Sequence, residues 1–185
     1  FITGEVYPDA ETYQTGTLTY DANQVNAVEV YWRSGQIEIV ESDAPSLTVR
    51  ESGGKLAEAA MLHYAFDGNT LRIYFCASGA KINVNPKDKH LILEIPKSID
   101  LSIHTTSATV KASSLEQNNL LLVAFSGDME LGNVRAFNVD LSSNSGSISA
   151  NSLSAQTLKS NTNSGTVQIE AVDAGTMDTE TNSGS

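Results

Sequence analysis

Asn144-Ser145-Gly146-Ser147-Ile148-Ser149-Ala150 and, 19 residues later, Asn163-Ser164-Gly165-Thr166-Val167-Gln168-Ile169 carry the pattern that decides the fold. The Ser-Gly pair recurs at Ser126-Gly127, Ser145-Gly146, Ser164-Gly165 and Ser183-Gly184, always 19 residues on, and one step earlier stands Ser107-Ala108 with the glycine replaced. A fixed period of this length is the signature of a repeat architecture. The positions around the pair keep step. Val110, Met129, Ile148 and Val167 form one apolar column, Ala112, Leu131, Ala150 and Ile169 a second, and Leu115, Val134, Leu153 and Val172 a third. Leu101, Leu120, Val139, Leu158 and Met177 align upstream.

Within each repeat apolar residues alternate with polar ones, as in Val167-Gln168-Ile169-Glu170, which is the rhythm of a strand with one buried face. One coil has too little apolar surface to fold alone. Stacked on its neighbours at the β-sheet spacing of roughly 4.8 Å, it shares a continuous core and satisfies its backbone between coils. The expected fold class is all-β: one β-helix-like β-solenoid domain over 26–185, with regular coils over 101–185, irregular coils over 26–100, and a linker or capping segment over 1–25. Small and large side chains alternate along the column Ala112-Leu131-Ala150-Ile169, which suits dense packing. The Asn-Ser-Gly column reads as a turn ladder, with Gly in a left-handed backbone and Asn side chains stacking, rather than as an ion or ligand groove.

Working backward, Val28–Ile39 fits the repeat when Ser34 is set on Ser126, placing Val28 on Leu120, Val30 on Leu122, Ile37 on Met129 and Ile39 on Leu131. The 73 residues from Ser34 to Ser107 are not a multiple of 19, so the coils between are expected to be longer or interrupted. Further strands are predicted at Ser46–Glu51, Thr70–Phe75 and His90–Ile95. Lys55–Tyr64 suits either a short helix or a loop feeding the next strand. All four prolines precede the regular repeat, where interior strands must donate every N–H. The chain opens on Phe1 without an initiator methionine and stops partway through a coil. It is therefore expected to be a trimmed piece that continues beyond Ser185, and a signal, lipid anchor or membrane helix could precede it.

The net charge of −11 is spread over both halves, with 8 basic and 14 acidic residues in 1–100 and 3 and 8 in 101–185. No basic stripe is available to neutralise phosphates, and anionic headgroups would be repelled, which argues against nucleic acid and against membrane insertion by this segment. The one cysteine, Cys76, lies in the apolar run Leu71–Cys76 and reads as a small buried hydrophobe.

Catalytic signatures are missing from the sequence. His63, His90 and His104 show no metal-ligand spacing, and no nucleophile elbow, Walker loop or dinucleotide fingerprint occurs. His104 reads as an exposed surface histidine. Asp128 and Glu130 flank Met129 on one outer face, but the next coil offers Ser147 and Ser149 instead of a second carboxylate, so a solvated face fits better than a glycosidase pair. No cofactor or metal site is predicted. Ten of the twelve aromatic residues lie in 1–100, so any ligand surface is expected there, at Tyr31, Trp32, Tyr64 and Tyr74. The plainer reading, and the one preferred, has Tyr31 and Trp32 simply covering an open end of the core.

The run Val28–Val40 with its central Ser-Gly, the phrase Leu93-Glu94-Ile95-Pro96-Lys97-Ser98-Ile99-Asp100-Leu101-Ser102-Ile103, and the repeated Ser-Gly-x-apolar units together resemble the bacterial "putative adhesin" domains of unknown function. The resemblance runs from about residue 26 onward; Ala108 and Phe125 depart from its pattern. It implies a solenoid at the bacterial cell envelope or surface, beyond a membrane anchor, with no catalytic residues to carry over. The expected function is thus a non-enzymatic binding or scaffold module outside the cytoplasm, its partner an envelope protein or glycan, with end-to-end self-association as a further expectation. A sensory or regulatory domain of a membrane-anchored protein is the alternative, and a glycan-active enzyme a second one.

Overall fold

The computed structural model describes residues 2, 3 and 5–184. Its strands, in chain order, are β1 (Ile2–Thr3), β2 (Gln14–Thr15), β3 (Leu18–Asp21), β4 (Ala27–Trp32), β5 (Gln36–Glu41), β6 (Ser46–Ser52), β7 (His63–Asp67), β8 (Thr70–Tyr74), β9 (Lys81–Ile82), β10 (His90–Ile95), β11 (Asp100–Thr105), β12 (Thr109–Ala124), β13 (Met129–Ser143), β14 (Ile148–Thr162) and β15 (Val167–Thr181). The fold is an all-β solenoid.

β12 to β15 are whole coils, each paired in parallel with the next in a register of 19. Val110 stands opposite Met129, Met129 opposite Ile148, and Ile148 opposite Val167. The columns read from the sequence are the core: Leu120, Val139 and Leu158 are buried, as are Ala112, Leu131 and Ala150. Burial fades in β15, where Val172 and Met177 are exposed; among the described residues β15 pairs with β14 alone.

The Ser-Gly glycines have a different cause from the one expected. None of Gly127, Gly146, Gly165 and Gly184 has a left-handed φ. A Cβ at Gly146 would instead collide with the carbonyl oxygen of Gly127, and one at Gly165 with that of Gly146. Glycine is needed there because successive coils approach backbone to backbone. The Asn ladder is present, Asn182 donating to Asn163 at 2.9 Å and Asn163 to Asn144 at 3.4 Å. A second ladder links Asn138, Asn119 and Asp100 at 2.7 Å per step. Ser143 and Thr162 turn inward at the corner and accept from the N–H groups of Gly146 and Gly165.

Below β12 the coils are assembled from segments that are not consecutive. The first part of β12 pairs with β5, and β5 with β10; its last part pairs with β11, then β4, then β8, all in parallel. One physical coil is therefore β5 plus β11, and the one beneath it β10 plus β4. The offset of 73 follows directly: Ala27 lies opposite Asp100 and Ile37 opposite Val110. No coils intervene between the Ser34 and Ser107 landmarks. Residues 42–99 leave the stack, fold a cap, and return through β8 and β10 to lie underneath.

That cap is antiparallel. β6 pairs with β10 and β3 with β6 on one side; β7 pairs with β8 and β2 with β7 on the other. Of the two readings of Lys55–Tyr64, the loop is correct. Only Glu58–Ala60 makes a 3-10 turn before β7 begins at His63. Inside the cap, Lys89 is fully buried. Its ammonium donates to the carbonyls of Ala60 (2.8 Å) and Phe75 (2.7 Å) and pairs with Glu51, which accounts for all three of its donors. It also lies over the rings of Phe75 and Trp32, at 4.3 and 4.7 Å. On the third side of the solenoid no strand among the described residues underlies Ser114–Gln117, and Glu41 stands in for one, accepting from the Glu116 N–H and from Gln117 Nε2.

Candidate ligand groove

Strand alternation separates the four predicted site residues. Along β4, Val28, Val30 and Trp32 point inward, while Glu29 and Tyr31 point outward. Trp32 is buried, edge-on to Phe75 with ring centroids 5.0 Å apart, and its indole N–H has no hydrogen-bond partner. Neither residue covers an open end of the solenoid, since β4 is flanked by β8 and β11. Trp32 packs toward the cap beneath Lys89; Tyr31 lies on the outer face. Tyr64 belongs to another place: it is buried on β7, opposite Ile73, and donates to Gln14 Oε1 at 3.2 Å.

On the outer face the register builds a ring stack. Tyr74 on β8, Tyr31 on β4 and His104 on β11 occupy one column, followed by Val123 on β12 and Ser142 on β13. Tyr31 stacks on Tyr74 at 4.8 Å and 14°, and on His104 at 5.2 Å and 8°. The spacing is that of the strands themselves. Tyr7 adds a ring on the far side of Tyr74 at 3.8 Å, with Tyr13 tilted against both. Tyr7 is held there by its hydroxyl donating to the Cys76 carbonyl (3.0 Å) and its N–H to Ser78 (3.1 Å). His104 is half-buried rather than freely exposed, and Ser102 Oγ sits 3.0 Å from its Nε2.

A groove of about 710 Å³ follows this column, bounded by Glu5 and Tyr7 at one end and Val123 at the other, with Arg33, Phe75 and Ser107 along its side. Burial, above all, raises the pKa values of its phenols: it pushes Tyr7 up to about 12 and also raises Tyr31 and Tyr74. Burial likewise raises the Cys76 thiol, so this buried cysteine is no ready nucleophile. Arg33 lies over the Phe75 ring at 5.2 Å.

Sequence reasoning missed His104 and Tyr7. His104 was within reach, because the shift of 73 that sets Ser34 on Ser107 also sets Tyr31 on His104. Tyr7 offers no such signal, since it reaches the column from a segment outside the repeat. The acidic candidates have structural work. Asp128 Oδ1 accepts from the Ser147 N–H at 2.8 Å, and Glu130 pairs with Lys111 at 3.0 Å. Among the described residues no three His, Cys, Asp or Glu side chains gather around a point where a metal could sit.

The fold has a solved counterpart. A putative cell adhesion protein from Clostridium sporogenes is similar over 91% of this chain and 99% of its own, with a TM-score of 0.52 at 12% identity. A putative adhesin from Bacteroides fragilis aligns over 90% and 97%, with a TM-score of 0.38 at 16% identity. No functionally curated protein matches the sequence. The Toastrack DUF4097 family profile matches residues 17–185, nearly the whole solenoid and its cap, and the chain belongs to that family.

Proposed function

We propose that this chain is a non-enzymatic binding or scaffold module displayed outside the cytoplasm at a bacterial cell envelope, with an envelope protein or glycan as its partner. The observation that carries the reading is the contrast between the outer faces and the groove. Several outward polar groups of the regular coils are committed to ladders and rung-to-rung pairs, as with Asn119–Asn138, Lys111–Glu130 and Asp128–Ser147. The groove along Tyr74, Tyr31 and His104 is instead a concave, largely apolar surface with a few polar groups at its margin, as ligand sites generally are. The adhesion names of the similar structures belong to those proteins, and they support this reading by analogy.

Pull-down of isolated envelope fractions and purified cell-wall glycans on the immobilised chain tests it. Capture of one envelope component, weakened when groove residues are substituted, is the expected result. Failure to retain any envelope component, or equal retention by the groove variants, would refute it.

A further inference from the structure

We infer that the open end of the ring stack, over Val123, is a docking site for an aromatic side chain presented by a protein partner. The inference rests on the binding-module reading and adds a ligand class and a place to it. The stack is paced by the sheet, one ring per strand, from Tyr74 through Tyr31 to His104. At the next rung the column holds Val123 and then Ser142, side chains too small to continue it. His104 and Val123 both line the groove, so the space where a fourth ring would lie opens into it. Just past the end of β12, Phe125 is 62% exposed, an apolar flank beside that rung. The imidazole is held in plane by Tyr31 on one face and by Ser102 at its edge, so a partner ring would pay little to order it.

The stacking geometry favours an aromatic ring over a sugar. Both faces of Tyr31, the best sugar platform in the column, are already covered, by Tyr74 and His104. What remains is the face of an imidazole, a five-membered ring smaller than a phenol or indole. It offers a pyranose less stacking area than Tyr31 would, while a flat aromatic ring can still stack on it in the offset manner of the column. The occupant would extend the ladder by offset stacking at about one strand spacing, roughly 4.8 Å.

NMR titration of the whole chain with p-cresol, run beside methyl β-glucopyranoside, tests this. The expected result is a saturable upfield displacement of the Val123 methyl and His104 ring resonances with p-cresol only. V123Y, which supplies the missing ring from within, should lose the response; so should H104A, which removes the stacking face, so the test survives if one variant folds poorly. Unmoved resonances in the native chain, or an undiminished response in both variants, would overturn the site. A response to the glucoside at these resonances would overturn the aromatic class while leaving the binding-module reading intact. A p-cresol response without capture of any envelope component would leave the site and refute that reading.

Discussion

Replacing Lys89 with methionine keeps most of the buried stem and removes its charge and its three donors. The ammonium is fully buried, and its partners come from three separate segments: Glu51 on β6, Ala60 in the 3-10 turn and Phe75 after β8. The variant strands the Glu51 carboxylate, whose side chain is only 10% exposed, with the Leu62 N–H at 3.0 Å as its remaining partner in the cap. Breaking one side of a buried pair typically costs about 3–5 kcal/mol. For a chain of this length each kcal/mol moves the midpoint by about 2–4 °C, so K89M should melt roughly 6–20 °C below the native protein. Removing the stranded charge as well, in K89M/E51Q, should recover a substantial part of that loss, because an uncompensated carboxylate costs more than an absent pair.

The same residue has a pH signature with a definite sign. Burial pulls the Lys89 ammonium below its usual 10.5, outweighing the attraction of Glu51. Between the folded and unfolded values the unfolded chain holds the extra proton, so this group's contribution to stability is full above 10.5 and is lost as pH falls through the folded value. Thermal melts at a series of alkaline pH values should therefore show the native-minus-K89M stability difference growing with pH up to about 10.5. A K89M midpoint within a degree or two of native would refute the claim that Lys89 holds the cap together, and a difference that shrinks as pH rises would refute the claim that burial penalises its charge.

I148D should cost several kcal/mol because it buries an unpaired charge in the central column, whereas V167D should cost less, Val167 being only half-buried in the last coil; K159A and Q168A should change little, all read by denaturant unfolding. G146A should destabilise by about 1–3 kcal/mol through the clash with the Gly127 carbonyl; an unchanged midpoint would show that the coils can part without cost. E41A should lose about 1 kcal/mol by freeing the Glu116 and Gln117 donors, while E41Q, which keeps an acceptor and drops a charge whose pKa burial raises, should melt at or above the native temperature at neutral pH. End-to-end pairing of two β15 edges would bring Glu170, Asp173, Asp178 and Glu180 of each copy together; sedimentation should show association increasing with salt and in D173K/D178K, and a dimer that weakens with salt would contradict this.

The regular coils were legible because two periods coincide in them, 19 between coils and two within each strand, and the inner columns satisfy both. The order of the irregular coils was not. A repeat tells which residues are equivalent, such as Val28, Leu101 and Leu120, but not which strand lies next to which, and β4–β5 could be interleaved with β10–β11 only in three dimensions. The glycines show a second limit. Ser-Gly is a turn signal by composition, yet its cause here is the approach of the neighbouring backbone, a contact 19 residues away that local reading cannot see. In the groove, period two would have parted Tyr31 from Trp32, and the shift of 73 would have joined Tyr31 to His104. Lys89 was illegible: it follows Pro86-Lys87-Asp88 and looks like a loop charge, while the acceptors that bury it are 14 to 38 residues away.

The cap and β15 present opposite chemistry to a neighbouring strand. Toward the N-terminus the core is closed by antiparallel strands and by a buried ammonium that fills three acceptor sites at once, so no strand can add there without dismantling the cap. Among the described residues no strand pairs with the outer edge of β15, which is partly apolar, and its coil has four carboxylates and no basic side chain. Elsewhere neighbouring rungs tend to alternate in sign, as in Asp140, Lys159 and Asp178 along one column and Lys111 beside Glu130 along another. By that rule the rung that fits on β15 carries basic residues, and a second β15 does not. The four carboxylates thus make a like copy of β15 a poor neighbour for it, as charges on edge strands commonly do. On the flank, a discontinuous set of strands, two of them brought in only by the interleaving of coils, places Tyr74, Tyr31 and His104 in one line.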